Sequence, residues 1–285
     1  MIAKAQEQTT KIENLLSKYF VMGILNLTDD SFSGDGITDK ELLQKRIIEL
    51  VGSRVHCIDI GAESTRPGAR LVNEEEEKRK VLEAIAMIRS ISPTTLISVD
   101  TWKSEVAKAS LEAGADSIND ISGGQFDSKM FDVIAKYPHS YYMLGHVKGT
   151  FETMHEKYLY DDLVEELVVY FKERITKLEE HGFPASHIIL DPCIGFSKRA
   201  EENLLILKNL KQLQERTKMP LIIGLSRKRF IKKLSGDEDN DSLDSYTLTL
   251  NMLALHDGAT VIRTHETVRT MKMIRIMEAI TTIPS

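Results

Sequence analysis

The chain alternates short apolar runs with longer stretches of mixed apolar and polar residues, and the alternation repeats eight times. The runs are rich in β-branched residues and lie at residues 20–25, 56–60, 96–99, 117–118, 141–144, 188–190, 221–225 and 260–262. Almost uninterrupted apolar runs are typical of parallel strands that are buried on both faces. The pattern therefore predicts eight parallel strands, each followed by a helix.

The stretches between the runs place apolar residues three and four positions apart, which is the helical period. They cover residues 40–51, 75–91, 104–113, 127–136, 162–180, 201–216, 243–255 and 268–280. Gly114, Gly182 and Gly258 follow three of them, where glycine commonly ends a helix. Strict alternation of strands and helices favours right-handed crossovers, and so an α/β fold built as a single (β/α)8 TIM barrel.

The barrel is predicted to span residues 20–285, with residues 1–19 as a short N-terminal extension. Such barrels typically need about 250 residues, which a chain of 285 residues supplies. A doubly wound open sheet is the alternative architecture. That fold would normally carry a glycine-rich fingerprint after its first strand and an acidic residue about 20 positions later. Nothing in the sequence fits that pattern.

Composition narrows the classes of function. The formal net charge of −6 argues against a general nucleic-acid binder, which needs a basic surface to displace counterions from phosphates. No apolar stretch approaches the roughly 18 residues needed to cross a bilayer, and residues 1–18 lack the apolar core of a secretory signal. Two cysteines, Cys57 and Cys193, are too few for a disulfide framework. We therefore expect a cytoplasmic protein without nucleic-acid or membrane partners.

Polar side chains close most of the apolar runs or follow them directly. They are Asn26, Asp59, Asp100, Asn119, His146, Asp191, Lys228 and Arg263. The carboxyl ends of parallel barrel strands meet at one rim, so these side chains are expected to converge there. The longer loops, at residues 28–39, 61–73, 145–160 and 235–244, also run from strand to helix and belong to the same rim.

Two chemical groups stand out among the rim residues. Cations cluster at 66–70, 227–229 and 263–265 of an acidic chain, which together favour an anionic substrate, although any one alone is typical of a solvated surface. Asp100, Asn119, Asp191 and Lys228 offer the donors and acceptors that a fused heterocycle requires, whereas an isolated residue of this kind more often caps a helix or forms a turn.

Asn26 has two readings of equal weight. Its amide oxygen is a hard ligand suited to Mg²⁺, and it equally suits a turn cap. Phe32 and Phe196 lie in polar loops, where aromatic side chains often form the wall of a site for a ring-shaped ligand.

Seven segments resemble the dihydropteroate synthase family of pterin-binding enzymes in order and spacing. They are MGILNLTDDSFSGDG (22–36), DIGAESTRPGA (59–69), SVDTWK (98–103), INDISGG (118–124), LDPCIGFSK (190–198), GLSRKRF (224–230) and IRTHE (262–266). The resemblance covers nearly the whole chain from residue 20 onward, and the combination of ESTRPGA with LDPxIGF is highly specific.

The resemblance implies a barrel, usually dimeric, that condenses 6-hydroxymethyl-7,8-dihydropterin diphosphate with 4-aminobenzoate and releases pyrophosphate. It places the pterin on Asp100, Asn119, Asp191 and Lys228. It places the diphosphate, with Mg²⁺, on Asn26, Arg263 and His265, and 4-aminobenzoate near Thr65, Arg66, Phe196 and Phe32. Asp100, Asp191 and Lys228 are the expected catalytic groups, since buried charges can stabilise the cation that forms when pyrophosphate leaves.

Two other functions are compatible with a pterin-binding barrel. Methyltetrahydrofolate methyltransferases need no diphosphate site, so Asn26, Arg66, Arg263 and His265 argue against them. A non-catalytic pterin-binding paralogue would keep every pterin-holding residue without turnover. The segments also depart from the family pattern: the first loop reads SGDG at 33–36, Gly145 stands where a Met is frequent, and Cys193 and Ser197 replace glycines.

Arg229 stands where the family commonly has a Ser beside the aminobenzoate carboxylate. The hypothesis is an ionic contact between Arg229 and that carboxylate; the alternative is a side chain that points to solvent. If the contact forms, Arg229→Ser will change both the KM for 4-aminobenzoate and the inhibition by sulfonamide mimics, as measured by steady-state kinetics. Values unchanged from the parent would reject the contact.

Overall fold

The structure is a computed structural model that describes residue 12 and residues 19–27, 40–66, 68–156 and 158–283. Within these ranges lie eight strands: β1 Phe20–Asn26, β2 Cys57–Gly61, β3 Leu96–Asp100, β4 Ser117–Asp120, β5 Tyr141–Gly145, β6 Ile188–Asp191, β7 Ile222–Gly224 and β8 Val261–Thr264. All are parallel to their neighbours, in the order β6-β5-β4-β3-β2-β1-β8-β7.

The sheet closes between β6 and β7. A parallel bridge joins Leu190 to Leu221, and the Leu190 amide donates to the carbonyl of Pro220 at 2.9 Å. The predicted (β/α)8 TIM barrel is therefore confirmed. The strands lie where the apolar runs predicted them, and most extend one or two residues further, onto the polar residue that follows the run.

Ten α-helices occupy the outer layer of the described chain: α1 Lys40–Gly52, α2 Glu74–Ile91, α3 Ser104–Glu112, α4 Met130–Ile134, α5 Leu163–Glu180, α6 Ala200–Lys208, α7 Leu210–Thr217, α8 Arg229–Ser235, α9 Asn240–His256 and α10 Thr267–Thr281. None of the helices in the described ranges combines the length and apolar composition that crossing a bilayer requires. Gly114, Gly182 and Gly258 follow helix ends with φ of 96°, 88° and 106°, as predicted.

Two parts of the helical prediction were wrong. The stretch 201–216 forms two helices because Asn209 leaves helical geometry at φ −114° and its side-chain amide donates to the Leu205 carbonyl at 2.7 Å. The acidic loop 235–244 is shorter than predicted because Asp239 caps α9 by accepting from the Ser242 amide at 2.8 Å. The helix α8, just before that loop, was not predicted.

Side chains alternate between the two faces of every strand. The outward positions, such as Ile58, Ile60 and Val99, belong to the large apolar core between the sheet and the helices. The inward positions near the amino ends form a second apolar cluster that includes Cys57 and Leu96. Further along the same inward rows the residues are polar, so the barrel has an apolar floor and a polar mouth.

Ile12 packs into the apolar floor of the barrel and is buried. It precedes the first strand, and the division into an extension at 1–19 and a barrel at 20–285 remains a prediction. Cys57 also lies in the floor, whereas Cys193 follows β6 at the mouth, and both thiols are free and buried.

The backbone at Cys193 and Ser197 is left-handed, with φ of 48° and 50°. A side chain in this region costs on the order of 1 kcal/mol relative to glycine, which explains why glycine is usual at both positions. Ser197 gains polar contacts in exchange: its hydroxyl accepts from the Lys148 amide at 3.0 Å and lies 3.3 Å from the hydroxyl of Tyr160. The loops after β5 and β6 are thereby joined.

Lys198 joins the same two loops from inside. Its buried ammonium donates to Nδ1 and the carbonyl of His146, each at 3.1 Å, and to the carbonyl of Phe196 at 3.2 Å. Burial lowers the pKa of Lys198 to about 8, and burial likewise lowers the pKa of His146 well below its ordinary value, so the imidazole is a neutral acceptor. His146, which ends β5, therefore has a structural partner.

The depressed pKa of Lys198 predicts a pH-dependent stability. Between pH 8 and 10.5 the unfolded chain retains a proton that the folded chain has lost, so raising the pH favours the folded state. The unfolding free energy of the parent should rise relative to Lys198→Met by about 1 kcal/mol per pH unit across that window. Urea denaturation at several pH values measures the difference. Lys208→Met, which removes an exposed lysine, is the matched control and should show no such slope.

Candidate functional site

Arg263 lies at the centre of the barrel mouth and joins three strands. Its Nε donates to Asp59 Oδ2 at 2.6 Å, and its Nη2 donates to Asp100 Oδ2 at 2.7 Å. Asn119 donates to the same Asp59 oxygen from its Nδ2 at 3.2 Å. Asp59 is fully buried and its Oδ1 has no hydrogen-bond partner among the described residues. Oδ1 of Asp59 can therefore still accept a hydrogen bond from a ligand.

The charges of this network affect one another. Burial raises the pKa of Asp100 to about 7, with Arg263 opposing the rise and Asp59 adding to it. Burial alone would lower the pKa of Arg263, but the carboxylates of Asp59 and Asp100 outweigh that effect and raise it. Arg263 therefore stays protonated, whereas Asp100 is a carboxyl group that changes its ionisation near neutral pH.

Lys228 and Asp191 lie on the other side of the mouth, and the charge of each affects the pKa of the other. Burial lowers the pKa of Lys228, while Asp191 opposes that shift. Burial raises the pKa of Asp191, and the amide of Cys193, which donates to its Oδ1 at 2.7 Å, opposes the rise. The Lys228 ammonium lies 4.3 Å from the centroid of the Phe196 ring, a cation–π contact.

Gly195 allows this close approach. A Cβ at Gly195 would lie 3.2 Å from Cδ of Lys228, and the residue has φ of 92°. Any other side chain would press on Lys228 and would strain the backbone. The loop after β6 therefore depends on glycine at this position to bring Phe196 and the ammonium together.

His265 orients Asn26 through a chain of hydrogen bonds. Asn26 Nδ2 lies 3.2 Å from Nε2 of His265, and because the amide nitrogen can only donate, Nε2 must be the acceptor. The proton is then on Nδ1, which lies 3.0 Å from Oγ of Ser226. The Ser226 hydroxyl also accepts from the backbone amide of His265 at 3.3 Å. This arrangement fixes both the tautomer and the direction of the Asn26 oxygen.

Cations surround His265. Burial lowers its pKa well below the ordinary value, and four guanidinium groups, those of Arg263, Arg227, Arg46 and Arg66, lower it further. Arg46 on α1 reaches the carbonyl of His265 at 3.5 Å. Arg227 is held by both carboxylate oxygens of Asp244, at 3.0 and 3.1 Å. The positive charges around the neutral imidazole would favour an anion here, although Arg263 and Arg227 are each also paired with carboxylates.

A buried ion cluster holds the loop 61–73 in place. The ammonium of Lys103 donates to Glu63 at 2.7 Å and also pairs with Glu77, and Trp102 donates to Glu63 from its indole at 2.7 Å. Burial raises the pKa of Glu77, and the Lys103 charge opposes the rise. The amide of Val72 donates to Glu63 at 2.8 Å, and its carbonyl accepts from Lys103 at 2.9 Å, so both ends of the loop are anchored.

The structure brings most of the predicted site residues together. The seven that end strands or follow them closely lie around the mouth: Asn26, Asp100, Asn119, Asp191, Lys228, Arg263 and His265. Phe196 contacts Lys228, and the charge of Arg66 acts on His265. The carbonyl of Thr65 accepts from His155 at 2.6 Å. Arg229 is exposed at the start of α8, and Phe32 lies outside the described residues.

Gly145 has no room for the side chain that is frequent at its position. A Cβ there would lie 2.4 Å from the carbonyl oxygen of Ile121. The turn after β4 therefore occupies the space that a longer side chain would otherwise take in this part of the mouth.

Sequence reasoning missed four contributors. Asp59 was noted only as a strand ending, although it lies two residues after Cys57 and so must face inward. Ser226, Lys103 and His155 gave no comparable signal, because their roles arise from contacts between loops that are distant in sequence.

Asn26 Oδ1 and Asp100 Oδ2 flank a space above Gly61. A Cβ built on that glycine would lie 3.7 and 3.8 Å from the two oxygens. Within the described ranges no group of three or more His, Cys, Asp or Glu side chains is arranged to hold a metal. One amide oxygen beside one carboxylate oxygen is the kind of set that holds Mg²⁺ only together with water and phosphate oxygens.

Comparison with known proteins agrees with this geometry. The chain is 36% identical to a dihydropteroate synthase of Synechocystis over 92% of its own length and 90% of the relative's. A dihydropteroate synthase of Xanthomonas albilineans, solved with 4-aminobenzoic acid, superimposes with a TM-score of 0.85 at 33% identity, covering 94% of this chain and 95% of the other.

Other relatives are longer. The chain is 34% identical to the folic acid synthesis protein fol1 of Pneumocystis carinii over 92% of its own length, yet it spans only 36% of that protein. The family model described as pterin binding enzyme matches residues 22–265. The resemblance found in the sequence is therefore confirmed, and the chain belongs to the pterin-binding enzyme family.

Proposed function

We propose that this protein is a transferase of folate biosynthesis, a dihydropteroate synthase that condenses 6-hydroxymethyl-7,8-dihydropterin diphosphate with 4-aminobenzoate to give 7,8-dihydropteroate and pyrophosphate. The observation that carries the proposal is the position of Arg263, held between Asp59 and Asp100 and next to the cation-surrounded His265. Arg263 would thus border both the heterocycle site and the anion site. The names of the Synechocystis and Xanthomonas relatives support the same activity.

The heterocycle is assigned to the inner mouth. Asp100 and Asp191 supply acceptors for the amino and ring N–H groups of the pterin, and Asn119 supplies both a donor and an acceptor. Lys228 supplies a donor for the pterin carbonyl. These groups lie on strand ends or shortly after them, and Asn119 is buried while the other three are partly buried, so the pterin would meet partners held by the barrel.

The diphosphate is assigned to Asn26, Arg263 and His265. Arg66 adds positive charge at the same place. Burial and the nearby guanidinium charges lower the pKa of His265, and an incoming anion would offset those charges and so favour protonation of the ring. Mg²⁺ bound to the diphosphate would neutralise charge on the leaving group, and Asn26 is the residue whose oxygen would hold it.

The reaction breaks the bond between the pterin methylene carbon and a diphosphate oxygen. The methylene carbon then forms a bond to the amine nitrogen of 4-aminobenzoate, which loses one proton to water or to pyrophosphate. Positive charge develops on the pterin as pyrophosphate departs, and ionised carboxylates on Asp100 and Asp191 would stabilise it. The reaction requires no protein nucleophile, because its main energetic barrier is the separation of charge between the pterin and pyrophosphate.

The second substrate is assigned to the outer rim. Thr65, Arg66 and Phe196 border this region, and the predicted contributions of Phe32 and Arg229 would complete it. Phe196 offers a ring face, and Arg229 is an exposed cation at the start of α8. A benzoate with a negatively charged end fits a surface with those two properties.

We also propose that the protein is a cytoplasmic homodimer. Two free, buried cysteines suit a reducing compartment. Exposed apolar side chains on α9 and α10, among them Met252, Leu253, Ile276 and Ile280, would be covered by a second copy. Sedimentation velocity should give twice the mass of the 32.2 kDa chain, and a single-chain mass would contradict the dimer.

One assay separates the candidate functions. Mixing the protein with the pterin diphosphate, Mg²⁺ and 4-aminobenzoate should release pyrophosphate and form dihydropteroate. Pterin binding without release would indicate the non-catalytic paralogue. Methyl transfer from methyltetrahydrofolate to a corrinoid, again without release, would indicate the methyltransferase.

In the same assay, Asp100→Asn should lower kcat by about 100-fold or more, because it removes the carboxylate that, when ionised, stabilises the developing cation. Asp132→Asn is the matched control, since Asp132 is exposed on α4, outside the barrel, and its substitution should leave turnover unchanged. Near-normal turnover in Asp100→Asn would overturn the assignment of this residue.

A further inference from the structure

His155 connects three loops of the barrel mouth. It lies in the loop after β5, and its Nε2 donates to the carbonyl of Thr65 in the loop 61–73 at 2.6 Å. Its ring stacks on Phe196, in the loop after β6, with centroids 5.3 Å apart and an interplanar angle of 30°. One side chain therefore touches both walls of the region assigned to the second substrate.

The backbone next to His155 is held in place. The preceding residue, Met154, is buried among apolar side chains that include Cys193, and its carbonyl accepts from the amide of Ser197 at 2.6 Å. The loop after β5 is thus fastened to the loop after β6 directly beside His155. The hydrogen bond from His155 to Thr65 then holds the loop 61–73 in place as well.

Thr65 lies between the two anchored ends of the loop 61–73. Glu63 and Val72 anchor its two ends through the ion cluster around Lys103. His155 contacts the stretch between those anchors, next to Arg66. A loop fastened at both ends and in the middle can present Thr65 and Arg66 in one geometry.

The charges around His155 indicate what this region would bind. Burial lowers the pKa of His155, and Lys228 and Arg229 lower it further, so the ring is neutral and two cations are near it. The Lys228 ammonium also contacts the Phe196 ring on which His155 stacks. An aromatic ring with a carboxylate would match the stacking surface and the positive charge together.

We propose that His155 is a positioning residue for the aromatic amine substrate, holding Thr65 and Phe196 so that the substrate ring and its carboxylate are received in one orientation. The inference rests on the proposed function. It assigns to His155 no contact with the pterin, whose partners lie deeper in the mouth. The effect of removing His155 should therefore fall on one substrate only.

Three substitutions separate the two contacts. His155→Ala removes both, His155→Gln keeps a donor for the Thr65 carbonyl, and His155→Phe keeps a ring for stacking on Phe196. We expect His155→Ala to raise the KM for 4-aminobenzoate about tenfold, consistent with the usual worth of one hydrogen bond and one aromatic contact. The other two variants should each recover part of that loss.

The KM for the pterin diphosphate and kcat should stay within about twofold of the parent in all three variants. His181→Ala is the matched control: its Nδ1 also bonds a backbone carbonyl, that of Lys177, but it lies at the end of α5, where the chain leads toward the amino end of β6. This control should leave both KM values unchanged.

An unchanged KM for 4-aminobenzoate in His155→Ala would overturn the inference, and so would equal losses for both substrates, which would indicate a general structural role. A parent protein that releases no pyrophosphate would instead refute the proposed function and with it the substrate assigned to His155. Trypsin cleavage after Arg70 then still tests the contact with Thr65: it should be faster in His155→Ala than in the parent and in His181→Ala, and equal rates would refute the contact.

Discussion

The two-residue repeat of the parallel strands is the constraint on which both the core and the site depend. Every second residue must face into a closed barrel, and the inward rows change from apolar to polar along each strand. Cys57 is followed in its row by Asp59, Leu96 by Ser98 and Asp100, and Val261 by Arg263. A shift of one residue in β2, β3 or β8 would send a charge into the outer core and an isoleucine or valine into the mouth.

The charges in the mouth are tolerated because they are mutually compensating. The partly buried guanidinium of Arg263 donates to two carboxylates, so neither carboxylate faces the low-dielectric interior alone. Asp59 nevertheless keeps an oxygen without a partner among the described residues, and burial raises the pKa of Asp100 to about 7 despite the Arg263 charge, so the network can still accept hydrogen bonds from a ligand. Structural order and binding capacity therefore come from one set of interactions.

Features governed by local periodicity could be predicted from the sequence: the eight strands, most helices, the helix-ending glycines and the convergence of polar residues at one rim. The features that escaped prediction depend on contacts between distant segments. Asn209 breaks a continuous apolar pattern through its own side chain, and the partners of Lys103, Ser226 and His155 lie in other loops. Periodicity describes which face a residue occupies, but it carries no information about which loop will meet that face.

The two cysteines lie at opposite ends of the barrel, Cys57 in the apolar floor and Cys193 behind the loops of the mouth. Burial raises the pKa of each thiol well above its ordinary value, and nearby carboxylates add to the shift, so neither is reactive in the closed molecule. Alkylation of Cys193 requires only that the mouth loops open, whereas alkylation of Cys57 requires that the barrel itself come apart. The chain therefore carries its own pair of chemical reporters, one for local opening and one for global unfolding.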